Sequence, residues 1–199
     1  MILYIIRHGE TEWNKMGKIQ GKTDISLSED GRKLAQKTAD GLKNIKFDYI
    51  FSSPLERAYE TACIIKGDRD IEIVKDERLI EIGFGLFEGT VVEERKGSIA
   101  YFFDDPENYV AEKGAESYES LLARTKAFIE NVLFPIEENK PDATVLISGH
   151  GALNKALFLH LLHKQLKDFW SGVYQGNCAV NKFEIKKGNV RLIDEARYY

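Results

Sequence analysis

The chain lacks the features that would point to several classes of protein. Its two cysteines, Cys63 and Cys178, lie far apart without a CxxC motif, so a disulfide framework is not expected. No segment approaches the roughly 18 apolar residues of a membrane-spanning helix. The apolar run at the amino end is too short for a signal peptide and follows no basic segment. We therefore expect a protein of the reducing cytoplasm with no membrane partner.

Positive charge is also scarce. The formal net charge is −4, and Lys186-Lys187 is no more than a pair, which argues against a nucleic-acid partner. The 199 residues, 43% hydrophobic and 30% charged, suit one globular domain over residues 1–199, as a monomer or a homodimer.

Short apolar runs alternate with stretches of helical periodicity. This alternation predicts an α/β fold, a three-layer α/β/α sandwich around a central, mostly parallel sheet. We expect a hairpin near the carboxyl end, at residues 179–185 and 190–193. The other predicted strands cover residues 2–6, 49–51, 71–74 and 144–147, and the longer helices cover residues 29–42 after Ser28 and a stretch from Ser117 or Ser120 to near Pro135.

Each predicted parallel strand is followed by a residue able to act on a phosphate. Arg7 and His8 follow the first strand, Arg57 the second, Glu81 the third and His150 the fourth. Because the carboxyl ends of parallel strands meet at one edge, these side chains should converge. Two arginines can bind a phosphoryl group, one histidine can attack phosphorus, and the other can donate to its oxygens.

The sequence allows two interpretations of Arg57. Ser53, Pro54 and Glu56 resemble a capping box, which would place Arg57 in the first turn of a helix. A cation is poorly placed there unless it holds an anion, although a solvated surface arginine remains the alternative.

Glu81 lies among apolar residues. A carboxylate in such company must be paired, with Arg78 for example, or stay protonated as a general acid would. The sequence leaves both possibilities open.

Residues 88–119 have a different composition, with nine acidic residues against Arg95, Lys96 and Lys113. Five aromatic residues are interleaved with them. We expect a helical excursion or lid with a small core of its own. Its content favours a substrate with a single phosphate and an apolar or planar remainder.

Five motifs occur in an order that resembles the histidine phosphatase superfamily, in its phosphoglycerate-mutase-like branch. They are RHGETEWN, QGKTD followed by LSEDG, SSPLERAYETA, IEIGFGLFEG and SGHG. The resemblance extends from residue 3 to about residue 183. It implies that His8 becomes phosphohistidine, that Arg7, Arg57 and His150 hold the phosphoryl oxygens, and that Glu81 donates the proton. No metal or cofactor is implied. The same resemblance matches further positions to substrate contacts: Asn14, Gln20 and Gly21, and more weakly Thr23, Gly151, Ile82, Gly83 and Phe84.

Three departures from the mutase favour a phosphomonoesterase. The mutase inserts a basic segment after its catalytic glutamate, whereas the corresponding region here is acidic. Phe84 and Ala152 stand where the mutase has Tyr and Asn. The Gly21–Asp24 loop resembles the alpha-ribazole phosphatases, and broad-specificity phosphatases are equally close.

Three alternatives remain at the sequence level. They are mutase activity, metal-dependent hydrolysis with His8, Glu10 and His150 as ligands, and a non-catalytic regulatory protein of the same fold. The metal alternative is disfavoured because Arg7 and Arg57 would repel a cation.

Overall fold

One mixed sheet runs through the centre of the protein, which we describe from a computed structural model covering residues 1–94, 96–112 and 114–199. Within these residues the sheet has six strands in the order β3-β2-β4-β1-β5-β6. The first four strands are mutually parallel, and the last two form the predicted antiparallel hairpin. The strands are β1 (Ile2–Arg7), β2 (Tyr49–Ser52), β3 (Ile73–Lys75), β4 (Thr144–Gly149), β5 (Val180–Lys186) and β6 (Asn189–Arg197).

Helices cover both faces of the sheet. Alternate residues of β1 enter different cores: Leu3 and Ile5 pack with helices on one face, and Tyr4 and Ile6 pack with helices on the other. The predicted three-layer sandwich is therefore confirmed. The helices are α1 (Glu12–Lys15), α2 (Glu29–Gly41), α3 (Glu56–Lys66), α4 (Ser98–Asp104), α5 (Tyr118–Phe128), α6 (Phe134–Asn139) and α7 (Gly151–Leu161).

The strand order creates a crevice at the carboxyl ends of β1 and β4. These strands are neighbours, yet the helices that follow them go to opposite faces: α2 packs in the core of Tyr4, and α7 packs in the core of Leu3. Ligands bind where connections diverge in this way. The fold thus predicts a site where Arg7 and Gly149 end their strands.

The predicted capping box at Ser53 is wrong. Helix α3 begins at Glu56. Its N-cap residue is Leu55, whose side chain has no hydrogen-bonding group to cap the helix. Instead, Oδ1 of Asp24 accepts the backbone N–H of Glu56 at 2.8 Å. An acceptor from a distant loop thus takes the Glu56 N–H that the capping box would have given to the Ser53 hydroxyl. Arg57 still occupies the first turn of α3.

Two other boundaries differ from the prediction. Strand β3 begins at Ile73 rather than at residue 71. The long helix starts after Ser117 as expected, but it continues through Pro135 to Asn139. Its segment Ile129–Leu133 is π-helical, and the wider turn leaves room for the proline ring, which would otherwise press against the carbonyl four residues earlier.

The lid contributes to the main core rather than to a core of its own. Phe102 and Tyr118 are fully or nearly buried and belong to the core that contains Leu3. Their rings stack on each other, with centroids 4.8 Å apart. These two rings are not available to contact a planar leaving group, whereas Tyr101 of the lid is exposed, so the apolar or planar leaving group stays a prediction. Arg95 and Lys113 lie outside the described residues.

Among the residues described, none of the helices combines the length and the apolar character needed to cross a bilayer.

Candidate active site

The two histidines lie side by side at the ends of β1 and β4. The backbone N–H of His8 donates to the carbonyl of Gly149 at 3.0 Å, which joins the two strand ends. The imidazole rings of His8 and His150 have centroids 5.2 Å apart. Gly9 lets the start of α2 pack closely against the turn after His8, because a Cβ there would lie 2.8 Å from the carbonyl oxygen of Gly31.

The hydrogen bonding of His8 leaves one ring nitrogen free to react. Nδ1 lies 2.7 Å from the carbonyl oxygen of Gly9. A carbonyl can only accept, so Nδ1 carries the proton and Nε2 carries a lone pair in the neutral ring. Burial, then the charges of Arg57 and Arg7, hold the pKa of His8 well below its usual value. His8 is therefore neutral and nucleophilic at neutral pH.

His150 precedes the first turn of α7 and is fully buried. Burial lowers its pKa well below the usual value, and the charges of Arg57, His8 and Arg7 add to this effect. Neither ring nitrogen has a hydrogen-bond partner among the described residues. One of the two carries a proton in the neutral ring and can donate it to a bound group.

Arg57 is completely buried. Its Nη1 donates to the carbonyl of Thr23 at 3.0 Å and its Nη2 to that of Gly21 at 2.8 Å. Burial lowers its pKa to about 10, so it stays charged at neutral pH. Arg7 is tied in the same way, because its Nη1 donates to the carbonyl of Gln175 at 2.7 Å.

Several donors at this edge have no acceptor within the described part of the chain. They are Nε of Arg7, Nε of Arg57, Nε2 of Gln20 and the one protonated ring nitrogen of His150, all buried. Unsatisfied buried donors are costly, and two of these belong to cations. An anion with several oxygens, such as a phosphoryl group, would satisfy them together.

Glu81 is paired with backbone rather than with Arg78. Its carboxylate oxygens accept from the N–H groups of Ile82 at 3.0 Å, Leu153 at 2.9 Å and Ala152 at 3.1 Å. Arg78 instead pairs with Asp76. The Arg78 alternative is therefore wrong, and the first turn of α7 holds Glu81 in place.

Gly151 lies between the carboxylate of Glu81 and the guanidinium of Arg7. A Cβ at this position would be 3.7 Å from Oε2 of Glu81 and 3.9 Å from Nε of Arg7. The predicted acid and a phosphate-binding donor thus face the same small space.

The predicted substrate residues near the amino end bind Thr11 or Arg57 through backbone and amide groups, and their contact with a substrate stays a prediction. Oδ1 of Asn14 accepts from the N–H of Thr11 at 3.1 Å, and Oε1 of Gln20 accepts from the hydroxyl of the same threonine at 2.9 Å. Gly21 and Thr23 present their carbonyls to Arg57. They therefore shape the pocket of the arginine.

The side chains of Ile82 and Phe84 point into the core. Both are buried, and the Phe84 ring packs edge-on against Phe102 at 4.8 Å. The backbone of this segment still meets the loop of residues 21–24, here called the substrate loop. A Cβ on Gly21 would lie 2.7 Å from the carbonyl oxygen of Ile82. A substrate contact by residues 82–84 stays a prediction, and for Ile82 and Phe84 it would involve backbone.

Two residues that sequence reasoning missed come from the loop before β5. Nδ2 of Asn177 donates to the carbonyls of His8 at 3.0 Å and Gly9 at 3.2 Å. Gln175 offers its backbone carbonyl to Arg7. Strand β5 is antiparallel to β1, so this loop reaches the site just before a strand begins. The prediction considered only residues that follow the carboxyl ends of parallel strands.

Glu88 is a third residue that the sequence did not single out. Its carboxylate accepts from the N–H groups of Lys22 at 3.0 Å, Thr23 at 2.7 Å and Phe84 at 2.9 Å, and from the Thr23 hydroxyl. Burial raises the pKa of Glu88, but these hydrogen bonds outweigh it and leave the pKa below its usual value. The lid thereby fixes the loop that holds Arg57.

Comparisons with known proteins agree with this geometry. The family model described as "Histidine phosphatase superfamily (branch 1)" matches residues 3–195. Phosphoserine phosphatase 1 of Hydrogenobacter thermophilus is 36% identical over 175 residues, 85% of this chain and 80% of that protein. A phosphoserine phosphatase mutant from Entamoeba histolytica, solved with phosphoserine, matches with a TM-score of 0.82 and 34% identity, covering 98% of this chain and 96% of the other.

A solved alpha-ribazole phosphatase from Shigella flexneri matches with a TM-score of 0.85 and covers 99% of this chain and 96% of its own. Its sequence identity is 24%, so this likeness bears on the fold alone.

The unsatisfied donors predict that inorganic phosphate stabilises the protein. An anion present at about a hundred times its Kd adds about 2.7 kcal/mol of stability. This should raise Tm by roughly 5 to 10 °C in a chain of this size. Arg57→Met should abolish the shift, whereas Arg32→Met, which removes a surface partner of Glu60, should retain it. Differential scanning calorimetry measures both, and equal shifts in the two variants would contradict the anion site.

Proposed function

Because the chain belongs to the histidine phosphatase superfamily, we propose that it hydrolyses a small phosphomonoester through a phosphohistidine formed on His8. Several of its homologues are named as phosphatases, and the chain is an enzyme of this class. The observation that carries the mechanism is the neutral His8, whose ring centroid lies 5.2 Å from that of His150 and whose pKa is lowered by burial and by the charges of Arg57 and Arg7, two arginines with unsatisfied Nε donors.

In the first step the phosphoryl oxygens bind to Arg7, Arg57 and His150. Nε2 of His8 attacks phosphorus, the bond from phosphorus to the ester oxygen breaks, and Glu81 gives its proton to the leaving oxygen. The Nδ1–H bond to Gly9 holds the ring in the reactive tautomer throughout. The two guanidinium groups offset the charge that develops on the phosphoryl oxygens.

In the second step water attacks the phosphohistidine. Glu81, now a carboxylate, accepts the proton of the water, the bond from phosphorus to Nε2 breaks, and inorganic phosphate leaves with His8 neutral again. The proton lost by Glu81 in the first step returns in the second. No metal is required, since side-chain cations supply the positive charge.

Residues 1–199 act as one catalytic domain in this proposal, in line with one family model over residues 3–195. A cytoplasmic location is part of the same proposal, and the free thiols of Cys63 and Cys178 support it. A substrate such as phosphoserine or alpha-ribazole phosphate remains a candidate within the phosphomonoesters.

The same-fold alternative is a phosphoglycerate mutase. The carboxylates of Glu88 and Glu116 contact the substrate loop, at the backbone of Thr23 and the ammonium of Lys22. They would repel a second phosphate, so we expect hydrolysis rather than isomerisation. Adding 2,3-bisphosphoglycerate to 3-phosphoglycerate should therefore yield inorganic phosphate with little 2-phosphoglycerate. Robust isomerisation, followed by NMR, would overturn the phosphatase assignment.

Replacing the nucleophile tests the covalent step. His8→Ala should lower kcat by more than about a thousandfold, because no other group can form the intermediate. Rapid quenching with radiolabelled substrate should trap an acid-labile phosphoenzyme in the wild type only. His160→Ala is the matched control, since that histidine lies near the far end of α7 and its Nε2 bonds to the Leu122 carbonyl. Turnover that survives in His8→Ala, or that disappears with EDTA in the wild type, would contradict the mechanism.

Replacing the proton donor should affect substrates according to their leaving group. Glu81→Gln should slow hydrolysis of an alkyl phosphate by about a hundredfold or more, because the alkoxide then leaves without a proton. The loss should be much smaller for p-nitrophenyl phosphate, whose leaving group is stable as an anion. Steady-state kinetics on both substrates measures the difference. An equal loss on both would indicate that Glu81 only holds the first turn of α7.

A further inference from the structure

Lys22 belongs to the loop that holds Arg57. Its neighbours Gly21 and Thr23 present their carbonyls to Arg57 at 2.8 and 3.0 Å. Its backbone N–H donates to Glu88 at 3.0 Å, which fixes the loop, while its side chain is half exposed. A phosphomonoester bound by Arg57 would therefore lie beside an accessible ammonium group.

The side chain of Lys22 crosses Gly83 and ends at the lid. A Cβ on Gly83 would lie 3.3 Å from Cδ and 3.4 Å from Cε of Lys22. Nζ lies 3.2 Å from Oε2 of Glu116. Because residue 83 has no side chain, the lysine has room to move across this surface.

Glu116 does not depend on Lys22 for its hydrogen bonds. It also accepts from Nε of Arg124 at 2.8 Å, the hydroxyl of Ser120 at 3.0 Å and the N–H of Gly83 at 3.2 Å. An ion pair with one exposed partner contributes little stability. Lys22 can therefore leave Glu116 at small cost, and Glu116 stays paired.

We propose that Lys22 selects phosphomonoesters that carry a carboxylate near the phosphate, exchanging Glu116 for the carboxylate of the substrate. The inference deepens the proposed phosphatase function and rests on it. Arg7 and Arg57 are assigned to phosphoryl oxygens and Arg124 pairs with Glu116, whereas the ammonium of Lys22 has one replaceable partner in the described part of the chain. Glu88 and Glu116 disfavour a dianionic second phosphate more than a singly charged carboxylate, so we assign Lys22 to the carboxylate.

The test compares substrates that differ only in the carboxylate. We would measure kcat/KM for 3-phosphoglycerate and glycerol 3-phosphate, and for phosphoserine and phosphoethanolamine. The wild type should prefer the carboxylated member of each pair. Lys22→Met should reduce this preference by about fivefold, mainly through KM, as expected of a partly exposed charge pair. Lys22→Arg should keep most of the preference. Lys18→Met is the matched control, because that lysine lies over Trp13, outside the loop.

Other outcomes would overturn the inference. A wild type without preference, or a Lys22→Met variant that loses activity equally on both members of each pair, would leave Lys22 with a structural role only. A larger effect of Lys22→Met on fructose 1,6-bisphosphate than on 3-phosphoglycerate would assign it to a second phosphate. A control separates these outcomes from failure of the phosphatase proposal. If the enzyme hydrolyses p-nitrophenyl phosphate and a phosphoenzyme can be trapped, the phosphatase proposal holds and only the role of Lys22 is in question. If it does neither, the phosphatase proposal itself fails.

Discussion

Two guanidinium groups confined beside two neutral imidazoles impose the main constraint on this structure. Arg57 is completely buried, and the nearest imidazoles are kept neutral by burial and by the same positive charge. Buried cations need acceptors. Backbone carbonyls of Gly21, Thr23 and Gln175 meet part of that need, and the Nε groups of both arginines are left for an oxyanion. The loops that supply these carbonyls are therefore part of the site.

The same constraint links stability to pH and to phosphate. In the unfolded chain a histidine has a pKa of about 6.5. In the folded chain the pKa values of His8 and His150 are lowered, so the unfolded state binds more protons once the pH falls below that value. Folding stability then decreases with falling pH until the folded pKa values are reached. A bound phosphate opposes this loss, because it offsets the charge that disfavours the imidazolium forms.

The sequence predicts the parts of the site that follow parallel strands. His8, Arg57, Glu81 and His150 could be grouped because periodic apolar runs locate the strands and the strand ends converge. Long-range contacts could not be predicted in this way. Asp24 caps α3 in place of Ser53, and the sequence near the start of α3 does not indicate that a residue of another loop supplies the cap. Arg7 is held by a backbone carbonyl at position 175, which any residue could supply, so its identity carries no information.

The geometry also separates the reaction from the choice of substrate. Helix α7 begins beside His150, and its first N–H groups hold Glu81, so the ring proposed to bind the phosphoryl group and the proposed acid share one rigid element. The residues proposed to meet the leaving group belong to other segments, the loop around Lys22 and the lid, which are joined by the hydrogen bonds of Glu88 and by the partly exposed pair of Lys22 and Glu116. Substitutions in those loops can alter which phosphomonoester fits without moving the histidine, the arginines or the acid. A catalytic core built in this way can serve different leaving groups, which explains why fold likeness alone does not identify the substrate.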